Sequence, residues 1–192
     1  VVSTRVLSPR TAIMVAATLN FVGALWSESV AKTMGKGIVD PKLITLATVV
    51  AILLAAIVWN LITWYYGIPS SSSHALIGGI VGGTLASAGP GALQGDGIMK
   101  VVKGLFLSPV IGAFLGFSIM LALMWMFRKV APGKLNKGFR GAQLVSAGIM
   151  AFSHGMGDAQ KSMGIIAMAL VAGGFMGTMT IPIWVKLLCA GA

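Results

Sequence analysis

The sequence predicts an all-α, polytopic membrane protein whose helices include discontinuous, re-entrant pieces. Three observations lead there. Of 192 residues, 57% are hydrophobic and 9% charged, and mean hydropathy is +0.93, where a soluble chain of this size would carry a far more charged surface. Apolar runs long enough to cross a bilayer recur, and each must be helical, because an isolated strand leaves its backbone unpaired in lipid. Finally, short apolar pieces interrupted by polar, glycine-containing sequence occur on both sides of a basic connector, the pattern of two repeats with broken helices.

Thr11 to Trp26 reads as a first apolar helix, short for a full span. Ser27 to Lys42, with Glu28, Lys32, Lys36 and Asp40, reads as a polar connection. Leu43 to Tyr66 is a full-length span, and Trp59, Trp64, Tyr65 and Tyr66 near its end form an aromatic belt at one interface. Gly67 and Pro69 then break the helix. Ala75 to Ala88 is apolar but gives only about 21 Å of helix, too little for a ~30 Å core, and so reads as a half-helix or re-entrant element. A Gly/Pro-rich connection covers Gly89 to Lys103, and Gly104 to Phe127 is a second span.

The stretch "RKVAPGKLNKGFR", residues 128–140, holds five basic residues and no acidic one, so the positive-inside rule makes it a cytoplasmic loop. Gln143 to His154, Met163 to Met176 and Ile181 to Ala192 are shorter apolar pieces. The domain reading is therefore residues 1–127 as part of a first transmembrane repeat, 128–140 as connector, and 141–192 as the start of a second. Glycines four apart (Gly78/Gly82, Gly79/Gly83, Gly112/Gly116, Gly173/Gly177) permit close helix packing.

Net charge is +10, but the basic residues sit mainly in connections, where they act as topology signals and anionic-lipid contacts rather than as a nucleic-acid surface. The one cysteine, Cys189, allows no internal disulfide. The chain opens Val-Val-Ser without a signal-peptide pattern and stops inside an apolar run, so it is expected to be a piece of a longer protein.

In "GIPSSSSHALIGG", residues 67–79, four serines and a histidine interrupt sequence otherwise built for lipid. Pro69 disfavours helix at Ile68 and cannot extend the preceding one. The next helix then starts within Ser70, Ser71, Ser72 and Ser73, which are good N-cap residues. Its first amides lack internal partners and carry the positive end of the helix dipole. Hydroxyls and free amides together make a site for a tetrahedral oxyanion. His74 alone carries little; it can simply bond a backbone carbonyl.

The second interruption, Ser153 to Ser162, contains Asp158, the one carboxylate in an apolar region; Glu28, Asp40 and Asp96 lie in connections. An acid at that depth costs ~2.5–3.5 kcal/mol and is therefore paired or functional. Lys161, three residues on, could neutralise it on a helix face. In the functional reading, Asp158 and Gln160 coordinate a coupling cation, which offsets an anion held by the serines, and Gly155 and Gly157 allow an unwound segment there.

Through "WNLITWYYGIPSSSSHALIGGIVGG", "VAKTMGKGIVDP" and "AFSHGMGDAQKSMGII", the chain resembles the inorganic phosphate transporter (PiT) family over nearly its whole length. The resemblance implies an inverted-repeat symporter moving phosphate with protons or sodium, without a cofactor. It implies phosphate binding by Ser71, Ser72 and Ser73 and a coupling cation, such as sodium, at Asp158 and Gln160, with Ser70, His74, Gly157, Ser162 and Asn20 in support. It also implies a multi-pass protein of a bacterial inner membrane in contact with lipid, with room for a homodimer. Each family half carries an Asp motif and a later Ser/Thr tract. This chain matches the second half's Asp motif and the first half's tract, as a fragment lacking both ends would.

Gly157 stands where the family usually has asparagine, which removes an amide ligand. Asn20 stands where many members have glutamate and some bacterial ones asparagine. A sulfate permease is the nearest rival, because the same hydroxyl chemistry serves both anions. An intramembrane hydrolase built on Ser72, His74 or His154 and Asp158 is disfavoured, since no Gly-x-Ser-x-Gly elbow surrounds the serines.

Overall fold

The computed structural model describes residues 1–192, apart from the side chains of Pro132, Lys134 and Lys137. Helix α1, Pro9–Trp26, begins where the Ser8 hydroxyl accepts from the Thr11 amide and Pro9 occupies the first turn. After a break the chain turns by 56° from α1 into α2, Ser29–Lys32, and a π-helical turn, Thr33–Gly37, the geometry of a broken span or a re-entrant segment. Helix α3, Leu46–Tyr65, starts at a reciprocal Thr45/Thr48 capping box. It ends at Gly67, whose φ of +66° suits glycine. The Ile68 amide reaches Thr63 O at 2.8 Å and the Gly67 amide reaches Trp64 O at 3.1 Å, closing the last turn as a Schellman motif.

Helix α4, Ser72–Ala88, returns along α3. Then come a short 3₁₀ turn at Pro90–Ala92, α5 (Gly95–Phe127), α6 (Pro132–Ala172) and α7 (Ile183–Gly191). The described residues form no strand, only an isolated bridge between Val39 and Leu93. Two helices, α3 and α5, are long and apolar enough to cross a membrane, and the bent pair of α1 with Ser29–Gly37 would be a third. The all-α membrane architecture is therefore as predicted, and α4 begins within the serines.

Three expectations need correction. The second interruption is no break: α6 runs unbroken for 41 residues, through Ser153–Ser162, so Gly155 and Gly157 do not unwind it. The basic connector is non-helical only as far as Ala131; its remaining residues are the first turns of α6. The polar connection at 27–42 is not a surface loop either. Ala31, Met34, Ile38 and Val39 are buried; the last three join Ile52, Ile80, Ile165 and Met168 in one core cluster, and Ala31 packs with Ala24, Met163 and Ala167 in a second. In the same way α5 begins nine residues before the predicted span, at Gly95.

The core thus sits where the re-entrant segment wedges between α3, α4 and α6. Glycines allow the approach. A Cβ on Gly23 would lie 2.1 Å from Phe152 O, and one on Gly155 would lie 2.1 Å from Asn20 O, so α1 and α6 touch backbone to backbone. Of the glycine pairs, Gly79 and Gly83 pack against Ile52, while Gly78, Gly82, Gly112 and Gly116 meet nothing within 4 Å. Large apolar side chains of α3 and α5 point outward, as lipid-facing residues do.

Gly155 and Gly157 should therefore respond oppositely to the same change. Gly155→Ala should destabilise the folded protein in detergent by about 1–3 kcal/mol, since the backbone of α1 cannot yield cheaply. Gly157→Ala has open space around it and should leave thermal unfolding unchanged or raise it, because alanine is the better helix former.

Candidate functional site

A cleft of about 350 Å³ opens where α3, α4 and α6 meet. Its walls are Leu53, Ala56, Ile57 and Asn60 of α3, Ser72 and Leu76 of α4, and Asp158, Lys161 and Ser162 of α6. The residues from α3 fall at helical spacing on one face, in the middle and later turns of a membrane-crossing helix. The cleft thus lies alongside an apolar helix of spanning length.

Ser72 lies at the N-terminus of α4. The preceding residue, Ser71, is the N-cap, yet its hydroxyl makes no capping bond. The first in-helix bond runs from the Ala75 amide to Ser71 O at 3.0 Å, so the amides of Ser72, Ser73 and His74 precede the ladder and are free to donate. Ser70 and Ser72 are exposed and Ser71 and Ser73 half-buried. Hydroxyls, unpaired amides and the positive end of a 17-residue helix converge here.

The α6 wall is ionic. The Asp158 carboxylate takes Lys161 Nζ on one oxygen and His154 Nε2, at 3.1 Å, on the other. His154 Nδ1 lies 3.1 Å from Asn20 Oδ1, while Asn20 Nδ2 donates to Ala16 O at 2.8 Å. The i, i+3 and i, i+4 spacings of this chain of contacts are those of an intact helix, consistent with α6 running through this stretch. Gly157 faces open space beside Asp158.

Not every expected residue arrives. Gln160 is fully buried, and its Oε1 accepts from the Val30 and Ala31 amides at 3.0 and 3.4 Å. Residues two apart on a continuous helix point roughly 200° apart. Gln160 therefore fixes the re-entrant segment to α6 and does not line the cleft that holds Asp158. His74 lines a separate cleft with Trp59 and the glycines of α4. Asn60 and Lys161, by contrast, share the walls with Ser72 and Asp158. Asn60 could have been found from its amide, set on the Leu53–Ala56–Ile57 face of an apolar span.

The family model described as "Phosphate transporter family" matches residues 1–192. The chain belongs to that family. It is 50% identical, over all of its length and 58% of the relative's, to a "Probable low-affinity inorganic phosphate transporter" of Bacillus subtilis (strain 168). It is 43% identical, with the same coverage, to a protein of that description from Rhizobium meliloti (strain 1021). The chain thus spans a little over half the length of these relatives, which are named as transporters and not as enzymes. A solved structure titled "The sodium-dependent phosphate transporter" superposes with a TM-score of 0.81 at 22% identity, over 99% of this chain and 66% of that one. This last likeness speaks for the fold.

Gln160→Leu should leave the two α2 amides without their acceptor and destabilise the protein by about 1–3 kcal/mol. Thermal unfolding in detergent measures it, together with faster proteolysis within residues 27–42. An unchanged melt would show that Gln160 does not hold this segment.

Proposed function

We propose that the chain is part of an inorganic phosphate transporter of a bacterial inner membrane, a symporter that moves phosphate together with a proton or sodium ion. One observation carries the reading: Ser72, at the amide-rich start of α4, and Asp158, on α6, line the same cleft beside an apolar helix of spanning length. Phosphate is held by the hydroxyls of Ser71, Ser72 and Ser73 and the free amides beside them, with Ser70 at the edge of the tract and Ser162 across the cleft. The Lys161 ammonium, on the same wall, supplies a positive charge that a hydroxyl site alone lacks.

Coupling follows from charge. Both oxygens of Asp158 are engaged, by Lys161 and His154. A cation that reaches the carboxylate displaces one of them, and the displaced Lys161 ammonium is then available to the anion. Cation and anion arriving together leave the cleft's net charge almost unchanged, whereas either alone adds an unpaired charge in low dielectric. Gln160, turned away, supports this arrangement by fixing α6 against α2. His74 lies outside this cleft, in the separate one beside Trp59.

Orientation has a physical basis as well. Arg5, Arg10, Arg128, Lys129 and Arg140 gather at the start of α1, the end of α5 and the first turns of α6, and Arg140 Nη2 donates to Arg5 O at 2.6 Å. This end carries the arginines and the acid-free connector, and we read it as the cytoplasmic face. The matching Asp motif and Ser/Thr tract of an inverted-repeat partner complete the pathway.

Ser72→Ala and Asp158→Asn should each reduce uptake of labelled phosphate into proteoliposomes by at least tenfold, with membrane insertion intact. Excess unlabelled phosphate should compete and excess sulfate should not. Normal uptake by both variants would refute the site, and competition by sulfate would make the protein a general oxyanion permease.

A further inference from the structure

A second cleft, of about 710 Å³, lies away from the Ser72–Asp158 site. Lys32, Lys36, Lys42 and Lys100 line it, with Asp40 as its one carboxylate. It closes against Val171, 13 residues beyond Asp158 on α6 and so roughly 20 Å along the helix. Its walls come from residues 29–37, the loop into α3, the start of α5, the end of α6 and the α6–α7 connection.

The charges here are not balanced in the usual way. Glu28 pairs with Lys32 at 3.0 Å and with Lys186. Asp40 turns one oxygen onto the Lys42 backbone amide at 3.0 Å. Among the described residues, Lys36, Lys42 and Lys100 have no carboxylate within 4.0 Å, and all three are exposed. The cleft is much larger than one phosphate ion needs, so it is a hydrated basin with an excess of positive charge and not a fitted pocket.

We infer that this basin is an anion-collecting vestibule, which concentrates inorganic phosphate at the membrane face opposite the basic connector before the ion enters the Ser72–Asp158 cleft. The inference rests on the proposed function and names a part of the entry route. Distance decides how the basin acts. The basin meets α6 roughly 20 Å along the helix from Asp158, more than the ~8 Å Debye length at physiological ionic strength, so its exposed charges contribute little to binding at the inner site. They act on encounter: a concave surface of one sign raises the local concentration of a counter-ion and its rate of entry.

The test is uptake of labelled phosphate by the full-length protein in proteoliposomes, with Lys36, Lys42 and Lys100 replaced together by glutamine. At low ionic strength the apparent KM should rise roughly tenfold, while the maximal rate stays within about twofold. Added potassium chloride should raise the KM of the parent protein toward that of the variant and leave the variant nearly unchanged. An unchanged KM, or the same salt dependence in both proteins, overturns the inference. So does a defect that appears only in vesicles with anionic lipid, which would make the basin a headgroup contact. Absence of phosphate uptake by the parent protein itself refutes the proposed function, a different result from parity between parent and variant.

Discussion

The carboxylate of Asp158 is paired on its own helix: Lys161 takes one oxygen, and His154 Nε2 lies 3.1 Å from the other. Leaving such a group unpaired at hydrocarbon depth costs several kcal/mol. The pairing works only at i, i+3 and i, i+4 spacing, so it requires α6 to continue unbroken through the glycine-rich stretch. An unbroken α6 in turn fixes two faces at once: Asp158, Lys161 and Ser162 toward α3 and α4, and Gln160 toward the re-entrant segment. The cleft and the core are thus opposite sides of one helix.

The site then combines two kinds of polarity that lipid would otherwise forbid. On α4 it is the unfinished hydrogen bonding of a helix start, made permissible by Gly67 and Pro69 ending α3 just before it. On α6 it is an internal ion pair. Each is costly alone, and the proposed function gives each a use, the helix start for an anion and the carboxylate for a cation. The glycines at Gly23 and Gly155 bring α1 against α6 closely enough for Asn20 to reach His154, so the ionic wall is buttressed from a third helix.

Much of this was legible in the residues. The span at 43–66, its termination at Gly67 and the helix start within the serines follow from hydropathy, glycine conformation and capping. Of the serine tract, Ser72 lines a cleft together with Asp158. Gly155 and Gly157 were misread because local propensity treats every glycine as a breaker. Gly155 instead serves close packing, which only the neighbouring helix reveals. The polar stretch at 27–42 held an overlooked signal: Glu28, Lys32, Lys36 and Asp40 recur every four residues, one face of a helix, leaving Ala31, Met34 and Ile38 for the core. Gln160 was assigned by its closeness in sequence to Asp158, and helical rotation separates the two.

The central claim is spatial: the start of α4 and the acidic stretch of α6 share one cleft in the folded membrane protein. Cysteines introduced as Ser72→Cys and Ser162→Cys, in a background with Cys189→Ala, test it without touching the carboxylate. A short bifunctional thiol reagent should join them within a single molecule in native membranes, and phosphate should slow the reaction. Efficient labelling of each cysteine singly, with no cross-link at any reagent length that fits the cleft, would contradict the account.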